Sequence, residues 1–179
     1  MKRNRLAAIM AILVGFAGFV GMRSSASAEG NQAFGFNAPL VSGFPGGRSA
    51  EITGGGSYKL PDFIFSGGSF RCLSDITAGL FNGCHKGQGV RWDPVMLLPS
   101  TPNGFKCTGA GTELLKQAQT NDKTVVLLAD FYRQGDGNDE SFTAQMIVSE
   151  TDLDLDPANG IQNVWIQQIG CGTAVVNFN

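Results

Sequence analysis

Histidine occurs once in the 179-residue chain, at His85, and this limits the chemistry available. A three-histidine metal centre cannot be assembled, and any serine or cysteine hydrolase would depend entirely on this one imidazole. His85 adjoins Cys84 in the run CHKGQG, a glycine-rich setting that predicts a solvent-exposed ring. The chain has no G-x-S-x-G elbow and no H-E-x-x-H helix motif, so neither hydrolase signature is available. Carboxylates are plentiful instead. Two loops concentrate oxygen donors of the kind hard cations prefer: Asp136, Asn138, Asp139 and Glu140, then Asp152, Asp154 and Asp156 with Asn159. The second loop has the first three ligand spacings of an EF-hand. Pro157 stands where that loop needs its turn glycine, and Asn163 where it needs the bidentate glutamate. The two loops are therefore candidate calcium sites of another kind, or solvated Asp-Gly and Asn-Gly turns. No other cofactor is expected.

The cysteines number four, Cys72, Cys84, Cys107 and Cys171. How to read them depends on the compartment. Lys2, Arg3 and Arg5 precede an uncharged run from Leu6 to Met22, followed by an A-x-A pattern at Ala26 and Ala28. These are the three parts of a signal peptide, with cleavage expected after Ala28 and a secreted or periplasmic product free of the membrane. In an exported protein an even number of cysteines is most simply two disulfides, whereas a zinc site would lack any C-x-x-C pair. Phe70-Arg71-Cys72 and Phe105-Lys106-Cys107 are near copies, which suggests the pairs Cys72 with Cys107 and Cys84 with Cys171.

Thirteen Lys and Arg face fifteen Asp and Glu, and four of the basic residues lie within the leader. The mature chain therefore carries nine basic and fifteen acidic side chains, a formal charge of −6. Its basic residues are scattered singly, which argues against nucleic acid as a partner. About 150 mature residues suit one domain, large enough for a sizeable core.

The elements that would position these groups are organised around residues 123–149. Thr124 to Arg133 is apolar on both sides, as a central strand covered on both faces should be. Ser141 to Ser149 alternates Phe142, Ala144, Met146 and Val148 with polar residues, although Ile147 breaks the pattern. With the acidic loop between them, the two form a β-hairpin. Residues 29–50 read as a Gly-rich N-terminal arm, and residues 51–179 as the β domain. Within that domain, strands are expected at Glu51 to Thr53 and Ser57 to Phe65, separated by Gly54-Gly55-Gly56. A turn is expected at Gly67-Gly68, before Ser69 to Leu73. Asp93 and Pro94 suit the N-cap and first position of a short helix, and Thr112 to Gln119 suits a second. Ile161 to Ile169 and Thr173 to Phe178 read as strands joined around Gly170-Cys171-Gly172. The expected fold is mainly β: an antiparallel sandwich or barrel of about seven to eight strands with one or two short helices, stapled by disulfides.

Taken together, GSFRC, GVRWD, FKC, DFYRQGDGNDESFTA and GCG resemble an uncharacterised family of small exported bacterial β-rich proteins, over roughly Gly54 to Phe178. The resemblance implies export and a compact β domain; no activity is attached to it. Two functions are consistent with the sequence. One is an exported non-catalytic module that binds a protein partner, a glycan or a small ligand in the envelope or outside the cell. The other is a secreted hydrolase acting through paired carboxylates.

Overall fold

The computed structural model describes residues 30–133, 141–154 and 160–179. Eight strands run β1 (Gln32–Ser42), β2 (Ser49–Lys59), β3 (Phe63–Cys72), β4 (Arg91–Leu98), β5 (Thr124–Tyr132), β6 (Ser141–Ser149), β7 (Val164–Ile166) and β8 (Gly170–Phe178). Each strand pairs antiparallel with the next, and β8 pairs with β1, giving a closed barrel. Among the described residues there is no helix, and so none long and apolar enough to cross a membrane.

The hairpin expected around the acidic loop is β5–β6, in register from Thr124↔Ser149 to Tyr132↔Ser141. Val125, Leu127, Ala129 and Phe131 of β5 face the lumen, opposite Ala144, Met146 and Val148 of β6. Val126 and Ile147 point outward into a second apolar cluster with Phe105, Leu153 and Trp165. This explains the break at Ile147: part of the barrel's outer face is itself a buried surface.

Side chains fill the lumen. One layer follows the pairing Phe36↔Gly54↔Gly68↔Trp92↔Phe131↔Phe142, placing two glycines between large rings. The fully buried Trp92 indole lies against both glycines. A Cβ on Gly54 would lie 2.6 Å from the indole and 2.5 Å from the Gly67 carbonyl oxygen. Glycine is required here by close approach, and Trp92 Nε1 donates to the Thr53 carbonyl at 3.1 Å. Residues 73–90 close one end of the barrel with Ile76 and Phe81, the latter packed among Phe70, Phe131 and Phe142 at 5.3–5.7 Å between ring centroids. At the other end Phe34, Tyr58 and Phe178 meet edge-on or stacked. There the Tyr58 hydroxyl donates to the Asn121 carbonyl at 2.5 Å, and burial, with Asp122 and Glu150 nearby, pushes its pKa up to about 12.

Several local expectations are corrected. Residues 32–42 are not a loose arm but β1, the strand that closes the barrel, with Phe34, Phe36, Ala38 and Val41 buried. A register shift between Ala38 and Val41 breaks the period-two pattern that would have revealed it. Gly54-Gly55-Gly56 and Gly67-Gly68 lie inside β2 and β3 rather than in turns, with Gly54 and Gly68 making room for the Trp92 indole. Asp93 and Pro94 belong to β4. Trp92 must face Phe131 across the ladder, Asp93 pairs with Arg91 at 3.0 Å instead of capping a helix, and the register slips just after Pro94. Residues 112–119 are extended or turn, and Leu114 and Leu115, expected on a buried helix face, are 82% and 60% exposed. Only Val164–Ile166 of the expected 161–169 stretch forms a regular strand, and Gly170 to Gly172 open β8 instead of turning the chain.

The disulfides also differ from the expected pairing. They join Cys72 to Cys84 and Cys107 to Cys171. The first closes the 73–90 plug onto the end of β3, and the second ties the β4–β5 connection to β8. The similarity of the two Cys-preceding tripeptides does not reflect proximity, because Cys72 ends a lumen-facing row while Cys107 belongs to the outer cluster.

Candidate functional site

The long connection from Leu98 to Thr124 doubles back over the outside of the barrel as a strap. Its two limbs pair at Ser100↔Gln119 and Phe105↔Lys116. Phe105, Cys107 and Ala118 cover Val126, Ile147 and Trp165, while the Trp165 indole N–H donates to the Lys106 carbonyl at 2.7 Å. The Cys107–Cys171 bridge pins the far end of the strap.

Glu113 sits at the turn of the strap and collects donors. The backbone N–H groups of Cys107, Thr108 and Gly109 reach its carboxylate at 2.5, 2.8 and 3.1 Å, and the Thr108 hydroxyl at 2.6 Å. Lys116 Nζ lies 2.8 Å from Glu113 and 2.7 Å from Asp154. Partial burial works against the charged form of Glu113, but Lys116, Thr108 and the N–H groups of Cys107 and Thr108 outweigh it and lower its pKa to about 2. Burial likewise opposes the Lys116 charge, and hydrogen bonds to Asp154 and Glu113 overcome it, raising its pKa. A carboxylate that stays ionised to such low pH cannot serve as a general acid near neutrality, and a doubly paired ammonium is no nucleophile.

The ligand atoms of Cys107, Glu113 and Asp154 lie within 4.8 Å of one another. These residues do not fit a metal ion: the Cys107 sulfur is in a disulfide, and the Lys116 ammonium already bridges the two carboxylates.

Beside this cluster runs a groove of about 370 Å³, between the returning limb of the strap and the β6–β7 connection. Lys116, Gln117, Gln119 and Asn121 form one wall, Thr151 and Asp152 the other, with Phe105 at its base. A second, more open depression of about 390 Å³ lies on the β1–β2 hairpin around Phe44 and Arg48.

The sequence-derived candidates separate in space. His85 is 68% exposed and lies 3.5 Å from Asp75, away from the strap. Asp136, Asn138, Asp139, Glu140 and Asp156 lie outside the described residues. Asp152 Oδ1 accepts the N–H groups of Asp154 and Gln162 at 3.1 and 3.0 Å, and Asp154 pairs with Lys116, so these two acids bind the loop to itself and to the strap. Sequence reasoning missed Glu113, Lys116, Gln117 and Gln119. The signal available was the alternation Lys116-Gln117-Ala118-Gln119-Thr120, in which Ala118 and Thr120 are buried and the two glutamines exposed. That is a strand pattern in a stretch that also satisfies helix rules.

Fold and site together define an eight-stranded antiparallel meander barrel with a filled lumen and a strapped outer groove. No family model, curated protein or solved structure matches the chain.

Proposed function

We propose that the protein is an exported, non-catalytic binding module whose ligand occupies the strap groove. The observation that carries this reading is the groove itself, a polar cleft of about 370 Å³ whose wall is pinned by a disulfide and an ion-paired cluster. Its volume falls within the range of small-ligand sites, and its walls are held before any ligand arrives. The hydrolase alternative finds less support. The carboxylates brought together by the fold, Glu113 and Asp154, share one ammonium and have no free acid between them. Calcium enters the proposal only as an ordering ion for the 152–156 loop.

The test is thermal unfolding of the mature chain against panels of oligosaccharides, short peptides and small amines, after chelation and again with millimolar calcium. A ligand at a hundred times its Kd adds about 2.7 kcal/mol, which is roughly 5–11 °C for a domain of this size. That rise should vanish in Gln119→Trp, which fills the groove from an exposed position, while the unliganded midpoint stays unchanged. A shift that survives Gln119→Trp, or turnover of an oligosaccharide, would refute the proposal. A calcium-dependent rise lost in Asp152→Asn would support the ion's role.

A further inference from the structure

Among the described residues, the groove's strap wall is a strand edge without a pairing partner. Across the strap, Lys116 exchanges backbone hydrogen bonds with Phe105, the Ala118 carbonyl accepts from Thr101 N–H, and Thr120 N–H donates to Pro99. The even-numbered residues thus face the outgoing limb. In an extended chain the odd-numbered residues must then turn their backbone groups the other way. Among the described residues, nothing bonds the N–H groups of Gln117 and Gln119 or the Gln117 carbonyl, while the Gln119 carbonyl accepts only the Asn121 side-chain amide at 3.2 Å. Gln117 and Gln119 both line the groove. An open edge of this kind is a template for another extended chain, and soluble proteins ordinarily cover or charge such edges.

The charge around the edge narrows the choice of occupant. Lys116 and Asp152 line the groove, and Glu113 and Asp154 pair with Lys116. Asp122, Lys123 and Glu150 directly adjoin the lining residues Asn121, Thr124 and Thr151, with Lys123 3.9 Å from Glu150, leaving two positive against five negative groups. Lys116 is already committed to two of those acids. An anionic ligand would meet net repulsion, whereas lysine or arginine side chains would be attracted to this rim.

Resting on the groove reading above, we propose that its ligand is an extended, basic polypeptide segment that adds as a strand to the Gln117–Gln119 edge. Backbone pairing with Gln117 and Gln119 supplies affinity without demanding a particular sequence. Alternate side chains of the bound segment then point toward the acidic rim, favouring lysine or arginine at every second position.

The experiment uses the oxidised mature chain and four labelled probes: a (Ser-Lys)5 peptide, the same peptide N-methylated at every serine or at every lysine, and (Ser-Glu)5. Fluorescence anisotropy reads binding, and amide exchange reads the edge. The (Ser-Lys)5 peptide should bind, weaken at least tenfold on N-methylation in the pairing register, and weaken when salt rises from 50 to 300 mM. Asp122→Asn should weaken it several-fold, Gln119→Trp should abolish binding, and the Gln117 and Gln119 amides should gain protection in the complex. Equal binding of all N-methylated registers, or of (Ser-Glu)5, would overturn strand addition by a basic segment. A maltooligosaccharide that binds and is lost in Gln119→Trp would overturn the peptide class while leaving the groove reading intact. If no probe depends on Gln119, both readings fall.

Discussion

Glu113 shows how one side chain can settle what a site does not do. Its carboxylate receives three backbone N–H groups, a hydroxyl and an ammonium, and at 14% side-chain exposure it is only partly wetted. Such an arrangement fixes the turn of the strap and sets the position of the groove wall. Because the folded-state pKa lies near 2, below the ordinary 4.5, the ionised group contributes stability that is fully present above about pH 4.5 and is lost as pH falls toward 2. Hydrogen bonds to a charged group each contribute roughly 1.5–3 kcal/mol, so Glu113→Gln should destabilise the protein by about that much at pH 7. The difference between the two proteins should shrink steadily between pH 4.5 and pH 2 in denaturant titrations. A constant difference across that range would show that the lost packing, and not the charge, was responsible. The conservative Glu113→Asp should fail to rescue the effect, because the shorter side chain cannot reach all five donors.

At the scale of elements, the barrel is unevenly sewn. β3 and β4 pair only at Gly68↔Trp92 and Ser69↔Arg91, although they are ten and eight residues long. Pro94 has no N–H to give, and beyond the register shift beside it Met96 to Leu98 pair with β5 alone. Those amides of Phe63 to Gly67 that point toward β4 rather than β2 should therefore exchange well before those of Val125 to Phe131 in native-state hydrogen exchange. Protection of the seam equal to that of β5 would mean that the barrel opens as one unit. The same residues show how far the sequence could be read. β5 and β6 were legible because β5 is an unbroken run of strand-forming residues from Thr124 to Tyr132, while Phe142, Ala144, Met146 and Val148 alternate along most of β6. β4 and the strap were not, because Asp93-Pro94 and Thr112-to-Gln119 satisfy helix rules locally while Trp92, Ala118 and Thr120 are claimed by tertiary burial. β1 hid behind glycines and a bulge. The site was less legible than the fold, since the partners of Glu113 and Lys116 include Asp154, 38 residues away from Lys116, and backbone N–H groups that have no signature in sequence.

On the scale of the whole molecule, the two disulfides divide the labour of holding a filled barrel and its outer strap. Cys72–Cys84 spans 12 residues and secures a plug whose Ile76 and Phe81 are already buried, so the packing would keep much of that plug in place without it. Cys107–Cys171 spans 64 residues and holds the far end of the strap to β8. In the chain-entropy account a loop of the first size contributes about 3 kcal/mol and one of the second about 4 kcal/mol. Replacing Cys107 and Cys171 together by alanine should therefore lower Tm by a few degrees more than replacing Cys72 and Cys84, with each kcal/mol moving the midpoint by about 2–4 °C. The two variants should also differ in kind. Loss of Cys107–Cys171 should make the strap the first site of limited proteolysis, with cleavage near the exposed Leu114 and Leu115, and should shift Trp165 fluorescence as Phe105 loosens from the indole, 5.5 Å away between ring centroids. Loss of Cys72–Cys84 should leave both readouts unchanged. If instead the two variants melt alike and the strap stays protected, the Glu113–Lys116–Asp154 cluster alone is enough to hold the groove wall, and the bridge serves only the unfolded chain.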